Sequence, residues 1–174
     1  YSAYNAIIKD FNPNDKEPVL IMNCDQFVKF NQKNINDLEL SYDDLKEKEY
    51  ITGLLLHANK VNVPKEYHNN FGYSELSYAY DRNSITKIIE KKSDGLNDLH
   101  TGHYFIKDSS TFIKYALKAF DRKETVNNEY FISTIFQLML EENKTVIHTD
   151  VETFVSIGIP ELYEHYIIEQ LKSE

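Results

Sequence analysis

The sequence predicts an α/β layer fold, a sheet flanked by helices, in one domain spanning residues 1–174. Three observations predict it. Apolar runs of strand length recur at 18–22, 50–58 and 100–106. Segments with apolar residues at helical spacing fall at 112–120, 129–142 and 162–171. The first run, Pro18 to Met22, has no polar break and is followed by Asn23-Cys24-Asp25-Gln26. It reads as a parallel strand buried on both faces, with an acid at its carboxyl end, where open α/β sheets place ligands. On spacing alone, Asp25 is as much a turn or cap acid as a chemical one.

Composition narrows the function. The net charge of −9 argues against a protein that grips nucleic acid through phosphates, though a local basic pocket for a small anion is compatible with it. No stretch reaches the roughly 18 apolar residues of a membrane span, so no membrane partner is expected. The single cysteine, Cys24, rules out an internal disulfide. It reads as a buried thiol in the apolar strand and suits a reducing cytoplasm.

In chain order, Ala3, Ala6 and Ile7 give residues 2–8 a helical face, closed by a turn at 11–15. After the strand at 18–22, Phe27, Val28 and Phe30 fit a helix or a strand equally. Residues 31–49 are polar, anchored only by Leu38, Leu40 and Leu45, and read as a loop with a short helix. Residues 50–58 form the next sheet strand, and 61–73, with Pro64 and Gly72, a loop. Residues 75–80 and 84–90 form a β-hairpin about Asp81-Arg82-Asn83, followed by a loop at 91–99. After the strand at 100–106, Ser109 or Ser110 caps a helix carrying Phe112, Ile113, Ala116, Leu117 and Phe120. A helix over 129–142 has Ile132, Ile135, Phe136, Met139 and Leu140 on one stripe. Short strands follow at 144–148 and 153–157. Pro160 then opens a last helix with Leu162, Tyr163, Tyr166, Ile167 and Leu171 on its apolar face.

Five marks in order resemble the sugar-phosphate nucleotidyltransferase family: Asn23-Cys24-Asp25-Gln26 after a strand; the hairpin from Ser77-Tyr78-Ala79-Tyr80 to Glu90-Lys91-Lys92; Thr101-Gly102-His103-Tyr104-Phe105; Asn128-Glu129-Tyr130-Phe131; and Ile157-Gly158-Ile159-Pro160-Glu161-Leu162. The resemblance runs from about residue 3 to the end. It implies a Rossmann-like mixed sheet flanked by helices, of the nucleotide-diphospho-sugar transferase type. It also implies transfer of a nucleoside monophosphate from a nucleoside triphosphate to a sugar phosphate, with release of pyrophosphate. In that resemblance Asp25 is a ligand of Mg2+ near the α-phosphate. Glu90 takes acceptor hydroxyls, Lys91 meets the acceptor phosphate, Gly102 admits the acceptor close to the backbone, and Glu129 is a second acid facing it.

Each mark also has a plainer account. Glu90-Lys91-Lys92 suits a solvated hairpin edge, Gly102 a bulge, and Glu129 the N-terminus of a helix. His100 and His103 fall on opposite faces of a strand, so their spacing does not make a zinc site, nor does that of His148 and Asp150. Tyr73, Tyr78 and Tyr80 suit core and hairpin packing as well as base stacking.

Two departures stand out. The five glycines never cluster, so the family's glycine-rich triphosphate loop is missing, and the chain is expected to be the acceptor-binding two-thirds of the fold, incomplete at its N-terminus. Ser156 and Ile159 also occupy positions where relatives carry a metal acid and a threonine. The strand at 19–23 should then lie mid-sheet beside a strand this chain lacks, its edge covered by the missing N-terminal segment or by a second copy. A non-catalytic binding or regulatory module of the same fold is the first alternative. A glycosyltransferase is the second, weakened because Asp25-Gln26-Phe27 lacks the paired acids such enzymes use.

Overall fold

The computed structural model describes residues 16–59, 63–77 and 84–173. The expected helix at 2–8, the turn at 11–15, and Tyr78 and Tyr80 lie outside the described residues. The elements in order are β1 (Val19–Met22), β2 (Gln26–Lys29), α1 (Gln32–Glu47), β3 (Ile51–Asn59), a 3₁₀ helix (Lys65–Asn70), β4 (Tyr73–Ser77), β5 (Ser84–Ile89), β6 (Asp98–Ile106), α2 (Ser109–Arg122), α3 (Ile132–Glu141), β7 (Thr145–Asp150), β8 (Thr153–Ser156) and α4 (Pro160–Ser173).

Six strands form one sheet in the order β1-β6-β3-β7-β5-β4, with β4 also touching β6. Strands β2 and β8 pair separately. Only β3 and β7 run parallel among the described strands; the other pairs are antiparallel.

The strand buried on both faces is β3, whose residues Ile51 to Ala58 are all buried. Leu55 faces a cluster that includes Phe112 and Tyr115 of α2 and Phe136 and Met139 of α3. Leu54, on the opposite face, packs with Ile147 and with Leu45 of α1. Helices thus cover both sides of the sheet, as the alternation of patterns predicts.

The expectation for the first apolar run is corrected. β1 is antiparallel to β6 and stands at the edge of the described sheet. Val19 is buried, while Leu20 and Met22 are exposed. An uninterrupted apolar run does not by itself report two covered faces. Cys24 is exposed, because it falls in the turn beyond β1 rather than inside the strand.

Other boundaries move for local reasons. The polar stretch at 31–49 is mostly one helix, α1, closed at its start by reciprocal hydrogen bonds between Asn31 and Asn34. Its outward faces are solvated, which is why so few anchors mark it. Asp108, not Ser109 or Ser110, caps α2, accepting from the Thr111 backbone N–H at 2.6 Å. Helix α3 starts at Ile132, because Asn127 and Asn128 take positive φ in a tight turn that pairs Val126 with Glu129. On α4, Leu162 is buried in the cluster with Val151 and Phe154, and Tyr166 meets the Phe27 ring, but Tyr163, Ile167 and Leu171 are exposed, so only part of the expected apolar face reaches the core.

Candidate functional site

The pocket begins with an irregularity in β6. Leu55 pairs with Tyr104 and His57 with His100, so β6 takes four steps where β3 takes two. The surplus bulges at Gly102, whose φ is 76°. The Gly102 carbonyl accepts from the Asn23 backbone N–H at 3.0 Å, tying the end of β1 to the bulge. A side chain at position 102 would collide with the Gln26 Oε1 and Asn23 Nδ2 atoms. Glycine suits the left-handed backbone here, and any side chain would have to displace the Gln26 and Asn23 amides.

Around this bulge lies a cavity of about 230 Å³ whose walls include Asn23, Gln26, Gly72, Glu90, Lys91 and Phe131. Glu90 and Lys91 follow the end of β5, and the positive φ of Lys91, 58°, turns its side chain inward. The Lys91 backbone N–H donates to the Phe71 carbonyl at 3.0 Å and its Nζ to the Asn70 carbonyl at 2.6 Å. The same ammonium stands 5.1 Å from the centre of the Phe131 ring. Lys92 instead faces solvent and pairs with Asp94 at 2.7 Å. Position alone thus separates two adjacent lysines that the sequence leaves equivalent.

The Glu90 carboxylate accepts from the Ser133 hydroxyl at the start of α3. Burial pushes its carboxyl up, partly opposed by the Ser133 hydrogen bond and by Lys91. The nearby Tyr104 phenol is pushed far up by burial and by the Glu90 charge. The pocket therefore presents an acid, an ammonium and backbone polar groups in a half-enclosed space, which suits a small ligand carrying both hydroxyls and a negative group.

Of the residues named from sequence, Glu90, Lys91 and Gly102 all line this cavity. Glu129 does not. It is exposed in the turn before α3, and its neighbours Tyr130 and Phe131 line the wall instead. Asp25, between Asn23 and Gln26 in sequence, is exposed and does not line the cavity. Its carbonyl accepts from the Ile157 and Gly158 backbone N–H groups at 2.9 and 3.0 Å, and its carboxylate lies against Gly158 where a side chain would clash. Asn23, Gln26, Gly72, Phe131 and Ser133 were not assigned roles from sequence. Asn23, Gln26 and Phe131 lie inside the quoted motifs; Gly72 and Ser133 carry no local signal.

His103 is occupied by the Thr101 carbonyl at 3.0 Å, and no group of three or more metal-ligating side chains converges among the described residues. A single exposed carboxylate is a small donor set. Mg2+ takes one or two carboxylates and fills the remainder with water and substrate phosphate oxygens, so Asp25 alone is the smallest protein donor set such an ion uses. Ser156, buried at the end of β8, brings no second carboxylate.

No family profile and no curated protein matches this sequence. Solved structures do match. An apo UDP-glucose pyrophosphorylase aligns with a TM-score of 0.68 at 14% identity, covering 99% of this chain and 59% of its own. A nucleoside-diphosphate-sugar pyrophosphorylase from Vibrio cholerae RC9 aligns at 0.64 and 12%, covering 93% and 60%. An inositol-1-phosphate CTP transferase from T. maritima aligns at 0.57 and 16%, covering 92% and 56%. This chain has the sugar-phosphate nucleotidyltransferase fold. It spans about three-fifths of the length of the nucleotidyltransferase structures named here. Within that fold the described pocket lies where β5, β6 and the start of α3 meet. No helix among the described residues is long and apolar enough to cross a membrane.

Proposed function

We propose that this chain is the acceptor-binding part of a nucleotidyltransferase that joins a nucleoside monophosphate to a sugar phosphate or similar small phosphate. The observation that carries the proposal is the convergence of Glu90, Lys91 and Gly102, far apart in sequence, on one cavity. The fold it shares with a UDP-glucose pyrophosphorylase and an inositol-1-phosphate CTP transferase supports the same reading.

In the proposed reaction an oxygen of the acceptor phosphate forms a bond to the α-phosphorus of the triphosphate. The bond from that phosphorus to the bridging β-oxygen breaks, and pyrophosphate leaves with the electron pair. Positioning and charge neutralisation supply most of the acceleration. Glu90 accepts hydrogen bonds from acceptor hydroxyls. Lys91, held by Asn70 and Phe131, meets the acceptor phosphate as a point charge. Gly102 lets the acceptor lie against the backbone. Asp25 would hold Mg2+, which supplies neutralisation of phosphate charge when bound. The single cysteine is consistent with action in a reducing cytoplasm.

The Asp25 assignment is tested by calorimetric titration of Mg2+ together with a sugar phosphate. The parent chain should take up the pair, and Asp25→Ala should weaken it about tenfold or more. Equal uptake by both would remove Asp25 from the metal role. Ser156, in place of a second acid, favours one other reading: a binding module of this fold that keeps the small-phosphate pocket without transfer. Sugar phosphate binding that does not respond to Mg2+ would favour it.

A further inference from the structure

Beneath the pocket, the hydroxyl of Ser74 on β4 is fully buried and is met by two imidazoles. His57 Nε2 stands 3.1 Å away and His100 Nε2 2.8 Å away. His57 and His100 are direct cross-strand partners on β3 and β6. A hydroxyl has one proton, so it donates to one ring nitrogen and accepts from the other. Two bare nitrogens would set a lone pair against the hydroxyl oxygen. Two ring N–H groups would leave the hydroxyl proton without an acceptor in a fully buried place, a costly arrangement. The two histidines therefore hold opposite tautomers.

Direction follows from what stands behind His100, where the Glu90 carboxylate lies across Gly72. Ser74 therefore donates to His100 Nε2, 2.8 Å away, and the His57 Nε2–H donates to Ser74 over 3.1 Å. With Nε2 accepting, neutral His100 carries its proton on Nδ1. Both rings are neutral in the folded chain. Burial pushes His57 well down, with the neighbouring His100 and His148 adding to it, and pushes His100 to about 3.

The Nδ1 atoms of His57 and His100 are both buried with no hydrogen-bond partner, so what lies beside each decides. His100 Nδ1 lies beside Gly72, where a built side chain would stand 2.6 Å both from that nitrogen and from Glu90 Oε2. The group across the glycine is thus a carboxylate, which an N–H suits and a bare lone pair does not. Gly72 is needed because any side chain would wedge the two apart.

We propose that the His57–Ser74–His100 chain fixes His100 as its Nδ1–H tautomer, and that this N–H, facing Glu90 past Gly72, is a positioning group for the pocket's acid. Besides His100, the charged and titratable groups facing Glu90 are Lys91 beside it and Tyr104 from β6. A neutral donor at this place supports the Glu90 carboxylate as an acceptor without cancelling its charge. That consequence for ligand hydroxyls rests on the transferase reading; the tautomer assignment does not.

The test is nitrogen-15 spectroscopy of the histidine rings on the full chain without ligand. The expected result is a protonated Nδ1 and bare Nε2 for His100, with the reverse for His57. Matching tautomers, or the opposite assignment, would overturn the proposal, and this measurement needs no variant to fold. The positioning role is read from the carbon-13 titration of the Glu90 carboxyl. His100→Phe should raise its midpoint by about one unit. His100→Asn, whose amide N–H can stand where Nδ1–H stood, should hold it within a few tenths of a unit of the parent. An unmoved midpoint in His100→Phe would end the positioning role. Failure of the chain to bind a hexose phosphate would count against the transferase reading and leave the tautomer result standing.

Discussion

Glu90 shows what a single residue gains from its surroundings. Burial raises its carboxyl, so the folded chain holds a proton there at pH values where the unfolded chain has lost it. Stability from this group is therefore greatest below the ordinary carboxylate range and falls as pH rises through the raised value. Glu90→Gln should lack that fall, so its melting temperature relative to the parent should improve from pH 4 towards neutrality. Parallel pH profiles for the two proteins would contradict the raised carboxyl. At this scale the sequence was partly legible. The pair Glu90-Lys91 was named from its motif, but the choice between Lys91 and Lys92 depends on a left-handed φ that no side-chain pattern announces. Glu129 was named from its motif too, and the turn at Asn127-Asn128 leaves it exposed.

Elements give the site its shape through β6 and through the α2–α3 pair. The bulge at Gly102 turns the β6 backbone towards Asn23 and Gln26. Gly102→Ala should cost about 1–2 kcal/mol from the left-handed backbone alone, more with the clash, and should abolish pocket binding. Chemical denaturation and ligand titration read the two effects separately, and an Ala variant as stable as the parent would show the bulge to be relaxed. The α2–α3 pair is clamped by Glu142, which accepts from Lys114, Tyr115 and Lys118. Those hydrogen bonds hold its carboxyl down to about 2, Lys118 first among them. Its stabilisation is complete above the ordinary carboxylate range and fades as pH falls towards that value. Glu142→Gln should flatten the acid limb of the stability profile; an unchanged limb would place acid sensitivity elsewhere. Strands β3 and β6 were legible as apolar runs of the right length. Helix α1 was not, because a solvated helix offers few apolar residues to count, and the exposure of Leu20 and Met22 on β1 was not, because burial depends on neighbours outside its own sequence.

At the scale of the whole molecule, the α/β class followed from alternating periodicities and the antiparallel β4–β5 hairpin from its turn residues, whereas the antiparallel pairings of β1 and β3 with β6 did not, since strand direction leaves no mark within a strand. Nor did the buried Ser74, His57 and His100 chain, which joins three strands and has no sequence spacing to betray it. What the fold accomplishes is assembly: β5, β6, the β1–β2 turn and the start of α3 bring an acid, an ammonium and a close-approach glycine to one cavity. The proposed function requires that cavity to hold a phosphorylated sugar. The direct measurement is calorimetric titration of glucose 1-phosphate, with inorganic phosphate as reference, into the parent chain, Lys91→Ala and Lys92→Ala. The prediction is that the sugar phosphate binds the parent more tightly than phosphate does, that Lys91→Ala loses about tenfold or more, and that Lys92→Ala stays within about twofold. No binding by the parent, or equal losses at both lysines, would contradict it.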